Sequence, residues 1–348
     1  MEPAGQAPPG GAVAVEATRS VAVTASADVT ASVDVTASVE VTAPGEPGVV
    51  VSDIWRFFGS FPALGGMSFT APYGQVTALV GPNGAGKTTL LLILASLLKP
   101  HRGRALVAGC DPTVDPTGVR AATGWMPDAF GVYDQLTVRE YLRFFGQAYK
   151  LDRSTVAARV TELLDLVHLT EFIDQPVHVL SRGQKQRLAL TRALVHRPRV
   201  LLLDEPASGL DPRSRVELRD ILRGLAAQGA AVLVSSHILT ELEEIADRVV
   251  FVASGRTVGE YALADLRAQA RRAYRVRSLD PDALSATLRD KGIAHSTVNG
   301  GAELAELTEE QAAQTLAGLV AAGVPVVAFE PVGSDLESVY LAMTEERR

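Results

Sequence analysis

The segment Gly81–Thr88 constrains the fold more than any other part of this sequence. It reads Gly-Pro-Asn-Gly-Ala-Gly-Lys-Thr, which fits the pattern GxxxxGK[ST], and it follows the apolar run Val76–Val80. A strand, a glycine-rich turn and a helix in this order present backbone N–H groups and the positive end of a helix to phosphate oxygens. We therefore expect the following residues to bind the phosphates of a nucleotide: Gly81, Pro82, Asn83, Gly84, Ala85, Gly86, Lys87, Thr88 and Thr89.

A second run of residues complements this loop. Val200–Glu205 is a continuous apolar strand that ends in two carboxylates, as a buried parallel strand ends at a phosphate site. Asp204 is placed to hold Mg²⁺ together with the hydroxyl of Thr88, and Glu205 is placed to polarise a water for attack on the γ-phosphate. Lys87 is expected to reach the β- and γ-phosphates and to act as a catalytic residue.

The spacing of apolar residues predicts an α/β core. Strand-like and helical runs alternate over residues 49–260, which we assign to a nucleotide-binding domain. Within it, Leu136–Leu169 shows helical spacing only, and Thr137 with Glu140 forms a capping box. We therefore expect a helical insert at about 129–180.

The C-terminal residues 261–348 predict a small α+β accessory domain. Capping boxes formed by Thr308 with Gln311 and by Ser334 with Glu337 support its last two helices. The remaining pattern has the order βαββαβ, which is typical of ferredoxin-like domains. The expected elements are a strand at Tyr274–Val276, a helix from Pro281, strands at Ile293–Val298 and Glu303–Leu307, a helix at Thr308–Ala322 and a strand at Val324–Phe329.

Residues 1–48 differ in composition from the rest of the chain. They contain a six-residue repeat of Ala, Ser, Thr, Val and acidic residues, which favours a disordered tail over an edge strand. This tail carries a net charge of −5 out of −7 for all 348 residues, so the remainder is nearly neutral. Because binding to nucleic acid usually needs a basic excess, we do not expect a nucleic acid partner.

Cysteine content and hydropathy point to a cytoplasmic chain. The single cysteine, Cys110, cannot form an internal disulfide, which favours a reducing compartment. The N-terminus lacks the pattern of a secretion signal, and the longest apolar segment, Leu90–Leu98, has about half the length of a membrane span. We expect a chain that does not cross a membrane by itself.

The segment Leu180–Gln184 reads Leu-Ser-Arg-Gly-Gln and resembles the LSGGQ signature of the ATP-binding cassette (ABC) ATPases. Taken alone, Ser181 and Gln184 form a capping box that begins a helix, and both interpretations can hold together. The resemblance implies a P-loop NTPase fold of the ABC type with an antiparallel β subdomain and a helical insert. It also implies that Ser181, Gly183 and Gln184 cap the ATP bound by a second copy, so that hydrolysis needs a homodimer.

The resemblance extends to further positions and implies a role for each. Phe58 would stack on adenine, although a core position at a strand end is nearly as good an interpretation. Asp211, in the segment Ser208–Asp211 that matches the family's D-loop, would lie near the nucleotide, and His237 would touch the γ-phosphate as a catalytic residue. Asp128 stands at the Q-loop position, where the family usually has glutamine, and its added negative charge favours a role as a Mg²⁺ ligand.

Several features resemble the bacterial export branch typified by daunorubicin-resistance ATPases. These are the single cassette and the segments Pro176–Ser181 and Leu336–Met343. The resemblance implies an ATP-hydrolysing subunit on the inner face of the cell membrane that energises a separate integral-membrane permease, with the contact made around residues 128–147. The alternatives are a soluble mechanical ABC ATPase and a drug-sequestering tolerance protein. The single cassette with a short insert disfavours the first, and the full set of catalytic positions disfavours the second.

Overall fold

The structure is a computed structural model that describes residues 46–129, 131, 133, 135–269 and 272–333. Its first part contains, in chain order, β1 (Pro47–Phe58), β2 (Phe61–Pro72), β3 (Val76–Val80), α1 (Lys87–Leu94), β4 (Arg102–Val107), α2 (Pro116–Ala122), β5 (Thr123–Met126), α3 (Val138–Ala148), α4 (Arg153–Leu166), α5 (Arg182–Leu194), β6 (Val200–Asp204), α6 (Pro212–Ala227), β7 (Ala231–Ser236), α7 (Leu239–Ile245), β8 (Arg248–Ala253) and β9 (Arg256–Ala262). The second part contains α8 (Leu263–Gln269), β10 (Arg272–Ser278), α9 (Pro281–Asp290), β11 (His295–Val298), β12 (Gly301–Leu307), α10 (Glu309–Ala321) and β13 (Val326–Pro331).

A six-stranded sheet in the order β5-β6-β7-β3-β8-β9 forms the centre of the first part. All of its strands are parallel except β9, which pairs antiparallel with β8. Every residue of β3, β6 and β7 is buried, because apolar layers cover both faces of the sheet. Parallel strands end at the same edge, so the residues that follow β3, β6 and β7 meet there.

A three-stranded antiparallel sheet in the order β2-β1-β4 packs beside α1. Its first strand begins at Pro47, two residues before the boundary expected from the sequence. The carbonyl oxygen of Glu46 accepts a hydrogen bond from the N–H of Tyr73, and that of Gly48 accepts one from the N–H of Ala108, both at 2.8 Å. Residues 46–48 therefore belong to the folded sheet.

The helical region of the first part consists of α3 and α4. The capping box of Thr137 and Glu140 is present at the start of α3, as predicted. The chain leaves α3 through Lys150, whose φ is +61°, and Asp152 then caps α4, so two helices fill the segment that the sequence marked as helical. None of the described helices is both long and apolar enough to cross a bilayer.

After α8, the second part has the predicted order βαββαβ. Its sheet is antiparallel throughout, in the strand order β11-β12-β10-β13, with the two crossover helices α9 and α10. A small apolar core of its own includes Val276, Leu284, Leu304 and Leu319. The capping box predicted at Ser334 and Glu337 lies outside the described residues.

Candidate functional site

The loop between β3 and α1 has space for glycine alone at two points. Gly86 has a φ of +97° and caps α1, and a Cβ atom there would lie 2.6 Å from Cδ2 of Leu64. A Cβ atom at Gly81 would lie 2.2 Å from the carbonyl oxygen of Val252. Both distances are far below a normal contact, so a larger residue would force the loop away from β2 or β8. The glycines thus keep the backbone N–H groups at the start of α1 in position to bind an anion.

The side chain of Lys87 folds back over this loop. Its Nζ donates hydrogen bonds to the carbonyl oxygens of Gly81 (2.6 Å) and Pro82 (3.2 Å). Burial lowers the pKa of Lys87, while the nearby carboxylates of Glu205 and Asp204 oppose that decrease. The ammonium therefore lies between backbone carbonyls and two acids, where it can form strong charge-assisted hydrogen bonds with phosphate oxygens.

Thr88 and Asp204 meet although 116 residues separate them along the chain. The Thr88 hydroxyl donates a hydrogen bond of 2.7 Å to Oδ2 of Asp204, and the hydroxyl of Ser235 donates another to Oδ1. Asp204 is only 2% exposed, so its carboxylate loses most of its hydration on burial. The two hydrogen bonds from hydroxyl groups replace part of that hydration. The result is a group of hard oxygen atoms beside the phosphate-binding loop.

Glu205 follows β6 in a left-handed backbone conformation, with a φ of +49°. Its N–H donates to the carbonyl oxygen (3.1 Å) and the hydroxyl (3.2 Å) of Ser235, and its carbonyl oxygen accepts a bond from the side-chain amide of Gln186. Its carboxylate lies 2.9 Å from Nδ1 of His237, which follows β7. An ionised Glu205 can accept this hydrogen bond only from the tautomer that carries the proton on Nδ1.

Lys87, Thr88, Asp204 and Glu205 line one cleft of about 350 Å³, whereas His237 is not part of its described lining. The lining contains two aromatic rings, Phe58 and Phe61, and three carboxylates, Asp128, Asp204 and Glu205. The other lining residues are Ala63, Asn83, Gly84, Ala85, Gly86, Lys87, Thr88 and Thr89. Aromatic rings and an anion-binding loop in one cleft suit the base and the phosphates of a nucleoside triphosphate.

Comparison with known proteins identifies the family of this chain. Residues 64–208 match the family described as ABC transporter. The chain is 36% identical over 205 residues to the ABC transporter ATP-binding protein NatA of Bacillus subtilis (strain 168), and the match covers 59% of this chain and 83% of that relative. The chain belongs to the family of ABC transporter ATP-binding proteins.

Further comparisons place this ABC ATPase more closely. It is 39% identical over 203 residues to the daunorubicin resistance ATP-binding protein DrrA2 of Streptomyces coeruleorubidus, a match that covers 58% of this chain and 63% of that relative. A solved structure described as the ATP binding subunit of an ABC transporter is 30% identical and superimposes with a TM-score of 0.60 over 64% of this chain and 92% of its own. As a member of this family, the chain binds ATP and hydrolyses it to ADP and phosphate.

The signature segment of this ABC ATPase begins α5 and lies apart from the cleft. The capping box of Ser181 and Gln184 is present, as predicted, with Gly183 between them in the first turn. Neither they nor Asp211, which caps α6, belong to the described lining of the cleft. Arg182, which replaces the third residue of the family signature, a glycine, donates a hydrogen bond of 3.1 Å to the hydroxyl of Ser208.

Sequence reasoning left Phe61 out of the site. Phe58 and Phe61 are directly paired across the β1–β2 hairpin, and both are mostly exposed, at 51% and 62%. Directly paired residues project from the same face of a hairpin, so both rings reach the cleft. The guanidinium of Arg56 covers Phe58 at 5.0 Å from its ring centroid. The two-residue turn Gly59-Ser60 was the signal for this pairing.

Proposed function

We propose that this ABC ATPase is the energy-supplying subunit of an exporter, in which two chains enclose two ATP molecules and act on a separate integral-membrane permease. The observation that carries the proposal is the meeting of Lys87, Thr88, Asp204 and Glu205 in one cleft that also contains aromatic rings, with His237 in contact with Glu205. The relatives named for daunorubicin resistance and for Nod factor export supply the exporter part.

Four groups then act on ATP: Phe58, the phosphate-binding loop with Lys87, Glu205 and His237. Phe58 stacks on the base, and the loop N–H groups with Lys87 bind the β- and γ-phosphates. Glu205 orients and polarises the attacking water, and His237 hydrogen-bonds the γ-phosphate while its Nδ1 is held by Glu205. The chemistry is positioning and charge stabilisation, without a covalent intermediate on the protein.

Mg²⁺ fits the residues present. Thr88 and Asp204 are already within hydrogen-bond distance of each other, and Asp128 lines the same cleft, so the donors are the hydroxyl and carboxylate oxygens that this cation prefers. No group of three or more His, Cys, Asp or Glu side chains that could hold a metal occurs in the part of the chain that the structure describes. A site of one or two protein oxygens completed by substrate phosphates is the usual arrangement for Mg²⁺. When bound, the ion neutralises charge that develops on the phosphate oxygens.

The position of the signature segment supports the dimer. Ser181, Gly183 and Gln184 form the N-terminus of α5, which is a good anion cap, yet they do not line the cleft of their own chain. A second copy turned head to tail would bring this N-terminus, together with Asp211, to the open side of the cleft. In this arrangement ATP is enclosed only when two chains meet.

The permease contact is proposed at the helical insert. Within residues 128–147, Tyr133 and Phe144 are 53% and 47% exposed, and their rings meet edge to face with centroids 5.5 Å apart. Exposed aromatic groups of this kind are typical anchors of protein interfaces. The chain would then work at the inner face of the membrane, held there by the permease.

The exporter proposal is tested by reconstitution. The chain is purified from membranes in mild detergent, the integral-membrane protein that remains bound is identified, and the pair is placed in proteoliposomes with the ATPase facing outward. ATP and Mg²⁺ added outside should drive a fluorescent anthracycline such as daunorubicin into the vesicles, and the Glu205→Gln variant should not. Hydrolysis that continues without a bound membrane protein and without any transport would contradict the exporter role while leaving the ATPase intact.

A further inference from the structure

Arg215 connects two loops that belong to the proposed catalytic machinery. It lies in the first turn of α6, and its Nε donates a hydrogen bond of 3.2 Å to the carbonyl oxygen of Leu210 in the D-loop. One of its terminal nitrogens lies 3.0 Å from Oε1 of Glu241, in the first turn of α7. A guanidinium is planar and rigid, so one side chain holds the D-loop backbone and the start of α7 at a fixed separation.

Glu241 occupies an unusual place for a carboxylate. Its side chain is only 13% exposed, and burial raises its pKa. The charge of Arg215 is the largest effect that lowers this pKa. The charge of Glu205 raises the pKa of Glu241, and that of His237 lowers it. Glu241 therefore lies close to the proposed catalytic pair, Glu205 and His237, on the side of α7, and it does not belong to the described lining of the cleft.

The position of His237 depends on this region. Its side chain is 53% exposed, so packing against its ring cannot fix it well. Its backbone is instead set by the short connection from β7 through Ile238 to α7, which is a helix of only seven residues. A shift of the first turn of α7 would move His237 relative to Glu205.

We infer that Arg215 and Glu241 are positioning residues that couple the D-loop to His237 of the same chain. When the D-loop packs against a second copy, its backbone holds the side chain of Arg215 in place. Arg215 then holds Glu241, and Glu241 determines the position of the first turn of α7 and therefore of the His237 imidazole. Pairing of two chains then changes the catalytic geometry as well as enclosing the nucleotide. This inference rests on the proposed function, in which Glu205 and His237 are catalytic.

The test is a double-mutant cycle on the purified full chain, with kcat and KM for ATP measured separately. Glu241→Gln, Arg215→Gln and the double variant should each lower kcat about tenfold, because a misplaced group costs rate rather than binding. Since the two residues act as one link, the double variant should be no slower than either single variant. KM for ATP should stay within about twofold of the unaltered chain.

A neighbouring ion pair provides the matched control. Arg219 and Glu244 join the same two helices one turn further along, at 3.2 Å, without touching the D-loop. Arg219→Gln and Glu244→Gln should leave kcat unchanged, with melting temperatures similar to those of the Arg215 and Glu241 variants. Arg215→Lys should remain slow, because an ammonium lacks the fixed fork that reaches Leu210 and Glu241 together.

The possible results separate this inference from the proposal beneath it. If Glu241→Gln keeps the kcat of the unaltered chain, or if both ion pairs lose kcat in proportion to melting temperature, the coupling is overturned. Glu205→Gln and His237→Ala serve as references in the same assay. If Glu205→Gln and His237→Ala retain full kcat, both the catalytic assignment and the inference are wrong. If these two variants are inactive while Glu241→Gln is fully active, only the inference is wrong.

Discussion

Nδ1 of His237 lies 2.9 Å from Oε2 of Glu205, and the two side chains follow the neighbouring parallel strands β7 and β6. The contact leaves Nε2 of the imidazole facing away from the carboxylate. It also means that the group proposed to polarise water and the group proposed to touch the γ-phosphate cannot move independently.

Replacing Glu205 by glutamine removes the carboxylate and keeps its shape. A positioned general base contributes about 10²–10⁴-fold to such reactions, so kcat should fall by roughly that factor while ATP binding persists. With ATP and Mg²⁺ the variant should sediment and scatter light as a dimer, and with ADP as a monomer. The exposed residue Glu171, changed to glutamine, is the control. A variant that stays monomeric with ATP at high protein concentration, in the presence of the permease, would contradict the enclosed dimer.

Asp128→Asn tests the proposed metal role of the Q-loop position. The amide keeps the shape of the side chain and removes its charge, so the Mg²⁺ concentration for half-maximal hydrolysis should rise roughly tenfold. Binding of ATP in EDTA, measured by fluorescence, should change little. Asp165→Asn, on the exposed side of α4, is the control. An unaltered Mg²⁺ titration combined with lost transport would assign Asp128 to the permease junction instead.

The rings of Phe58 and Phe61 in the cleft should determine how tightly the protein binds the base of ATP. Stacking of a base on an aromatic side chain contributes about 1–3 kcal/mol, so Phe58→Ala should raise KM for ATP roughly tenfold with little change in kcat. Phe61→Ala should raise it less, and the double variant should be the weakest binder. Phe144→Ala removes an equally exposed ring elsewhere. KM values that match the Phe144 control would show that neither ring meets the base.

Nested deletions define where the folded chain begins. Removing residues 1–45 should leave kcat and melting temperature unchanged, because their repeats contain no aromatic residue and no candidate ligand. Removing residues 1–48 also deletes the carbonyls of Glu46 and Gly48, each of which accepts a backbone hydrogen bond. At about 1 kcal/mol for each bond, the melting temperature should drop by several degrees. Equal stability of the two deletion variants would show that the hydrogen bonds accepted by Glu46 and Gly48 do not stabilise the folded chain.

His196 should make the protein sensitive to mild acid. Its ring is stacked on Tyr149 at 3.6 Å and hydrogen-bonds the carbonyl of Thr123, and burial lowers its pKa to about 4. Since the unfolded chain binds a proton near pH 6.5, the free energy of unfolding should be constant above that pH and should fall by about 3 kcal/mol as the pH decreases to 4.

Urea unfolding at a series of pH values measures this dependence. In His196→Gln the amide can still donate to the carbonyl of Thr123 but cannot be protonated, so its stability should vary less between pH 6.5 and 4. His178→Gln, at an exposed histidine, should retain the full dependence. Equal slopes in all three proteins would assign the acid sensitivity to other groups.

Local signals in the sequence predicted the parts of the fold that depend on nearby residues. The strand Val76–Val80 and the helix after the phosphate loop lie where expected, as do the capping boxes of α3, α5 and α10. Each depends on contacts a few residues apart, which is why a pattern of spacing reveals it. The second part of the chain was equally readable, because its helices α9 and α10 begin at local capping residues, Asp280 and Thr308.

Long-range pairing could not be read in the same way. The placement of β6 between β5 and β7, and the contact of Thr88 with Asp204, depend on packing between distant segments. The length of β1 is also hard to predict, because Asp53, with a φ of +49°, interrupts its alternation at a register shift. In β2 the residues Pro62 and Gly65, which are unfavourable inside a strand, are held there by pairing with β1.

The left-handed backbone of Glu205 has a consequence for engineering. Residues other than glycine, asparagine and aspartate adopt this conformation at a cost of about 1 kcal/mol, so glycine or asparagine would make the folded chain more stable here. A library screened for heat resistance alone would therefore accumulate those residues at position 205 and lose turnover. Directed evolution of this protein has to select for ATP consumption in the same round as thermal survival.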